Sequence, residues 1–330
     1  MDIFFNSVEY NSFYRCDYLN ESQWREFAIR RPNSGLLSIV LGAIYIVTYV
    51  PCLMVIRKST FFYNPAYKMM FFNGCIDVVA VVISCLITGY LQIIGSIYCL
   101  LPTFQFFVGI LALVAWCGQC LGCVVLALNR CIDFWSKTLS AMLYEGRRTY
   151  VWCLLVILCM LYFALFGKPV TLNSTVFMWA YDPYITVPKE LVKIDRSHYD
   201  YPTANVYDYI VIFAMFFLYS FLIISIGIKG RGSGNELKMQ LQVMRQVSTI
   251  CLMHFFTGAI FILAEFVLLP PFALFICIAS WQLGSGCGGI VLLSFNRTIR
   301  REVTMMVFRR EVYHSNTVNP TAHPLQSLRI

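Results

Sequence analysis

Charge is what this sequence lacks first. Only 13% of its 330 residues are Asp, Glu, Lys or Arg, against 59% hydrophobic, whereas a soluble domain carries about 25% charged residues. Water is therefore not the main solvent of the folded chain. Lys and Arg outnumber Asp and Glu by 25 to 17, yet they are scattered over short segments between apolar runs. No basic stripe with interleaved aromatics exists, which excludes a nucleic-acid groove. The stretch 1–23 lacks a basic start followed by a continuous apolar core and a small-residue cleavage site. No cleavable signal peptide is expected, and the first span is expected to act as its own insertion signal. Inverted internal repeats are also missing, which argues against a secondary transporter.

Sets of residues able to do chemistry are equally scarce. Cys117, Cys120 and Cys123 in "CGQCLGC" have metal-like spacing. No His or carboxylate accompanies them, and a continuous helix cannot wrap three thiolates around one ion. They read as small residues in a helix contact, as does the "WQLGSGCGG" strip, Trp281 to Gly289. Ser285 fits no G-x-S-x-G elbow, and a Ser285 and His254 dyad is the sole remnant of an enzyme reading. The loop "GRGSGNELK" lacks the Gly-Lys-Ser/Thr of a phosphate cradle.

What is present is seven apolar runs, near 34–56, 69–91, 104–128, 150–168, 207–228, 248–269 and 272–294. Each is long enough to cross a hydrocarbon core of about 30 Å as a helix of about 20 residues. Helices satisfy their own backbone in lipid, and the alternating segments of about ten residues that a barrel needs are absent. The fold class expected is an all-α integral membrane protein, a seven-transmembrane helix bundle. With the N-terminus outside, 17 of the 25 basic residues fall in cytoplasmic segments, as the positive-inside rule requires. Arg25, Arg30 and Arg31 run against the rule. Asn20 in "NES" and Asn173 in "NST" are candidate glycosylation sites on the outer side. Of 14 cysteines, 12 lie in or against spans. Cys16 and Cys99 remain outside, a candidate disulfide in an oxidising compartment or two free thiols.

Few polar residues enter the spans. Asp77 lies nine residues beyond Lys68, about 13 Å along a helix, where a carboxylate costs about 3 kcal/mol or more to insert. It reads either as an inward group binding a sodium ion or a proton, or as a neutral acid bonded to a neighbouring helix. His254 and Glu265 share roughly one face of the sixth span. Glu265, near its outer end, reads as a ligand contact or as a snorkelling group. After the last span, "NRTIRREVTMMVFRR" continues at helical spacing. Ile299, Val303, Met306 and Val307 fall on one side, as in a short amphipathic helix on an anionic membrane face.

Two polar couples end apolar runs alike: Asn129 and Arg130 in "LALNRCIDFW", Asn296 and Arg297 in "LSFNRTIRRE". Together with "YIVTYVPCLMVI", "YKMMFFNGCIDV", "YCLLPT" and "MWAYDP", in chain order, they resemble the nematode serpentine chemoreceptors of class T, in the rhodopsin-like G protein-coupled receptor superfamily. The resemblance covers roughly residues 10 to 310. It implies that Asn129, Arg130 and Cys131 stand in the place of the Asp-Arg-Tyr motif, with Arg130 as switch; Asn129 replaces the expected acid, so Arg130 loses its nearest anionic latch unless Asp133, one turn on, supplies it. It implies a sodium ion beside Asp77 and otherwise no cofactor. The seventh-span Pro and Tyr of that superfamily are missing, since Gly288, Gly289, Ile290, Val291 and Leu292 occupy the stretch. The second outer loop offers Cys99 no partner, which leaves Cys16. Gln282 stands about where an opsin carries its retinal lysine, so no covalent pigment is expected.

The reading that results is an extracellular tail over 1–33, a receptor domain over 34–295 and a cytoplasmic surface helix and tail over 296–330. The chain is expected in the plasma membrane of sensory cells, among membrane lipids, with a small-molecule ligand such as an odorant and a heterotrimeric G protein as partners. Pocket candidates are Glu265, His254, Trp281, Gln282 and Gln105, and a neutral or weakly basic ligand is expected. A transporter or channel, and a signalling-deficient receptor copy, are the alternatives.

Overall fold

Backbone groups that meet no water close their hydrogen bonds within the segment, so each apolar run becomes a helix. The computed structural model describes residues 7–58, 60–229, 235–266 and 271–308. Among them seven helices are long and apolar enough to cross a membrane: Pro32–Lys58, Pro65–Ile94, Pro102–Trp135, Thr149–Phe166, Pro202–Ser225, Leu241–Leu263 and Ala273–Phe295. Each overlaps the run expected from the sequence. Large apolar side chains such as Leu37, Val47, Leu158, Phe213 and Phe217 point outward, a belt that only lipid would cover.

The third span is the axis of the bundle. It packs on the second, fourth, fifth and sixth spans, and 72% of its apolar window is buried, against 22% for the fourth. Lipid tails are as apolar as leucine, so close helix approach depends on small residues and on interhelical hydrogen bonds. Gly35 and Gly89 supply such a contact between the first and second spans, each facing the other's carbonyl oxygen where a Cβ would collide. In the seventh span Gly286 lies against the Tyr45 ring, and Gly288 and Gly289 against Tyr49.

Several details differ from the sequence reading. The second span is not one unbroken α-helix, because Val82–Ile87 is wound as a π-helix and the Thr88 hydroxyl donates to the Ile83 carbonyl at 2.9 Å, five residues back. Asn129 and Arg130 end the apolar run but not the helix, which continues to Trp135. Ser136 then caps the short helix Lys137–Tyr144. The sixth-span helix is longer than its apolar run, covering Asn235–Phe266. The helix Arg297–Phe308 follows the last span; Ile299, Val303 and Met306 pack onto the bundle, while Val307 is exposed.

One end of the bundle is capped. Thr171–Asn173 and Met178–Ala180 form an antiparallel hairpin between the fourth and fifth spans, a small departure from the all-helical expectation. The tail contributes the helices Ser7–Phe13 and Glu21–Glu26. A disulfide joins Cys16 to Cys99 across a Cα separation of 5.3 Å, fastening the tail to the start of the third span. Tyr14, Tyr98, Tyr184 and Tyr199 form an aromatic cluster with Trp24 and Phe106, and burial pushes the phenols of Tyr98, Tyr184 and Tyr199 above their ordinary range. Kept neutral, Tyr184 donates to the carbonyls of Phe13 at 3.1 Å and Arg15 at 2.7 Å. Arg31, which ran against the charge rule, is fixed by the hairpin turn. It donates to the carbonyls of Ser174 and Thr175, both at 2.9 Å, and lies over the Phe177 ring.

Candidate functional site

Beneath the hairpin lies a cavity of about 310 Å³. The third span supplies Ala112, Leu113 and Trp116, the hairpin Met178, Trp179 and Ala180, the fifth span Asn205 and Asp208, and the sixth and seventh Phe261 and Trp281. Two indoles are tied down: Trp116 donates to Asp208 at 2.9 Å, and Trp179 to the Thr88 hydroxyl at 3.0 Å. The second bond connects the lid to the π-helical turn. At the rim Asp182 pairs with Arg196 at 3.2 Å and accepts the Tyr184 N–H at 2.8 Å. Burial pushes the Asp182 carboxyl up, while Tyr184 N–H and Arg196 hold it down.

Of the pocket candidates, the structure brings Trp281 to this wall and places three others elsewhere. Gln105 is fully buried; it donates to the Ser96 hydroxyl at 3.0 Å and accepts the Leu172 N–H at 2.8 Å, anchoring the hairpin. Gln282 donates to the Ser38 hydroxyl at 3.0 Å and the Ser84 carbonyl at 2.8 Å, which binds three spans together. His254 lies deeper, beside Asp77. The Glu265 side chain is outside the described residues. Asp208 was not anticipated, although a carboxylate at the second residue of the expected fifth span was a legible signal. Asn173 differs too. It is 3% exposed and its amide donates to Thr186 at 2.8 Å, so the nitrogen a glycan would need is engaged inside the loop. Asn20 is exposed and caps a helix.

A second polar cluster occupies mid-bundle. Asp77 is 2% exposed. It accepts Tyr49 Oη–H at Oδ2 and Gln119 Nε2–H at Oδ1, both at 2.7 Å. His254 Nε2 stands 3.7 Å from Oδ1, and its Nδ1 is 3.1 Å from the Ile250 carbonyl. With Nδ1 donating there, Nε2 faces the carboxylate as a lone pair unless the pair carries a proton. Gln119 also reaches the Ser285 hydroxyl at 3.0 Å, and Gly288 leaves the room that the Tyr49 hydroxyl fills. Donors thus converge on Asp77 from the first and third spans, with His254 of the sixth beside them. Both Asp77 oxygens are engaged by Tyr49 and Gln119, so the sodium ion expected there would have to displace these donors to reach the oxygen lone pairs it needs. The dyad considered for Ser285 and His254 is not formed: His254 Nε2 has no hydrogen-bond partner among the described residues.

The third cluster closes the opposite end. Arg130, 4% exposed, donates Nε–H to Asn129 Oδ1 at 3.0 Å, donates a second N–H to the same oxygen, and pairs with Asp133 at 3.3 Å. The guanidinium is folded back onto its own helix. It borders a cavity of about 640 Å³ whose wall includes Tyr67, Asp133, Lys137, Gln242 and Asn296.

A seven-helix bundle with a capped mouth, a mid-span carboxylate and an arginine folded at its far end defines a rhodopsin-like receptor fold. The crystal structure of squid rhodopsin superposes with a TM-score of 0.62 at 14% identity, covering 91% of this chain and 92% of that one. The chain belongs to the serpentine type 7TM GPCR chemoreceptor Srt family, whose model matches residues 2–316. Among curated relatives, serpentine receptor class T-55 of Caenorhabditis elegans is 21% identical over 293 residues, 88% of this chain and 78% of the relative.

Proposed function

We propose that this chain is a plasma-membrane chemosensory receptor, N-terminus outside, that binds a small molecule in the capped-end cavity and activates a heterotrimeric G protein at the Arg130 end. One observation carries the reading: the third span takes part in all three clusters. Ala112, Leu113 and Trp116 face the cavity, Gln119 holds Asp77, and Asn129 and Arg130 form the far latch. A ligand that prefers one arrangement of this helix shifts the whole bundle by its differential affinity for the two states. Arg130, folded back on Asn129 and Asp133, is the resting arrangement, and its release opens the cavity beneath it to the G protein.

A transporter is disfavoured because, among the described residues, the mid-bundle carboxylate of Asp77 is engaged at both oxygens by Tyr49 and Gln119. A membrane enzyme is disfavoured because Ser285 bonds to Gln119 and the family is one of receptors. The missing seventh-span tyrosine does not leave the core without one, since Tyr49 of the first span reaches Asp77 through the gap at Gly288.

Cells expressing the receptor with a promiscuous G protein and a calcium reporter test the reading. A panel of volatile and water-soluble compounds should contain agonists. Ala112→Phe, which places a ring in the cavity, should abolish the response at unchanged surface expression. An agonist response indifferent to Ala112→Phe would remove the cavity from the mechanism.

A further inference from the structure

Arg30 and Arg31 stand where the first span meets the capped end, against the positive-inside rule, and no acid among the described residues pairs with either. Arg30 is exposed and makes no side-chain hydrogen bond or ion pair there. Arg31 is held by neutral groups only, the Ser174 and Thr175 carbonyls at 2.9 Å and the face of Phe177. Both are nonetheless fixed at the backbone. Gly95 ends the second span in a left-handed turn, φ +66°, and a Cβ there would meet Arg30 at 2.8 Å, while the Arg31 N–H donates to the Gln92 carbonyl at 2.8 Å. A cation whose main chain is already held loses less freedom when it binds.

The two arginines border a cavity of about 510 Å³ with Asn33, Ser34, Phe177 and Phe275. Among the described residues its lining has two cations and no acid. A second observation concerns what adjoins it. Phe275 of the seventh span meets the Phe177 ring edge-on at 5.6 Å and is 40% exposed. The first and seventh spans pack together, and along them Leu36, Val40 and Ile44, and Ile276 and Leu283, are exposed. Spacings of four and seven place each set on one helix face, the side that lipid covers. A guanidinium meets phosphate through charge-assisted, often bidentate hydrogen bonds, and basic pockets between spans bind lipid headgroups.

We infer that this pocket seats the phosphate of a membrane phospholipid, with Arg30 as its direct partner, Arg31 beside it, and the acyl chains along the exposed faces of the first and seventh spans. Phosphates lie at both membrane faces, so the site is independent of the orientation and of the signalling role proposed above. Arg31 also holds the hairpin turn, so a lipid bound here stabilises the cap by mass action.

Full-length receptor purified in a maltoside detergent, which carries no phosphate, is titrated with three probes and read by thermal shift. Dioctanoyl phosphatidylglycerol has phosphate and tails, dioctanoylglycerol the tails alone, and inorganic phosphate the charge alone. The phospholipid should raise the thermal midpoint saturably, at a half-saturating concentration about tenfold below that of either other probe. Location is read separately, because arginines at the opposite end also meet phosphates. A phosphatidylglycerol with a diazirine in its acyl chain should cross-link to residues 33–44 or 273–283. Arg30→Ala should cut that yield about tenfold, Arg30→Lys should restore part of it, and Arg301→Ala, at the far end, should leave it unchanged. Half-saturation by dioctanoylglycerol at the same concentration as the phospholipid overturns the inference, as do cross-links confined to other segments or a yield indifferent to Arg30→Ala. Inorganic phosphate as effective as the phospholipid would make this a site for an aqueous anion and overturn the lipid. The wild-type cross-linking map decides even where a variant fails to fold.

Discussion

The couples Asn129–Arg130 and Asn296–Arg297 are the same two residues at the same end of the bundle, and one residue of each, Arg130 and Asn296, lines the same cavity, yet they are built differently. At the first, the arginine is buried and the asparagine serves it, accepting two of its N–H groups. At the second, the asparagine is buried at 2% exposure and the arginine is exposed. Asn296 donates to the Tyr67 hydroxyl at 2.9 Å and accepts the N–H groups of Thr298 and Ile299 at 3.1 Å, so it caps the surface helix. The difference follows from the backbone. The third-span helix runs through its couple, which turns Arg130 inward over its own next turn, where Asp133 waits at i+3. The seventh-span helix stops at Phe295, so Asn296 is free to act as an N-cap and Arg297 points away.

The largest effect expected from this contrast is at Arg130. Arg130→Ala removes the buried cation around which Asn129 and Asp133 are arranged, and it should abolish agonist-dependent G protein activation while surface expression stays measurable. Fluorescent surface labelling alongside a calcium readout checks both, and a fully active mutant would dissolve the contrast. Asn296→Ala should act on stability first. It removes a cap worth about 1 kcal/mol and one buried hydrogen bond of about 1 kcal/mol. The thermal midpoint in detergent should fall by a few degrees, with agonist potency nearly unchanged for the receptor that survives. A large loss of signalling at unchanged stability would make Asn296 a second switch.

How much of this could be read beforehand depends on range. The spans were legible because lipid demands length and apolar composition, both local properties. The Arg130 and Asp133 pairing was legible because three residues on a helix fix a neighbour. Asp77 was legible as a costly residue but not its company: Tyr49, Gln119 and His254 come from three other spans, and no spacing encodes that convergence. Gln105 and Gln282 misled for the same reason. A polar residue near a mouth can face a ligand or pin a loop, and only the partner, Leu172 N–H in one case and Ser38 in the other, distinguishes them. The hairpin escaped because three-residue strands carry too little pattern, and with it escaped the burial of Asn173.

The smallest effect sharpens the contrast most. Arg297 is exposed, and an exposed substitution away from special features costs within about 0.5 kcal/mol. Its remaining role is attraction to anionic headgroups, worth about 1 kcal/mol per basic residue near the surface and shared with Arg300 and Arg301 on the same helix. Arg297→Ala should therefore leave agonist potency and thermal midpoint unchanged within error, in the assays where Arg130→Ala is silent and Asn296→Ala is unstable. A signalling loss in Arg297→Ala comparable to that of Arg130→Ala would mean that the two couples act as one device. A null result would assign the switch to the buried arginine alone, since the two residues have the same chemistry and the same preceding asparagine and differ in burial and in the acid three residues on.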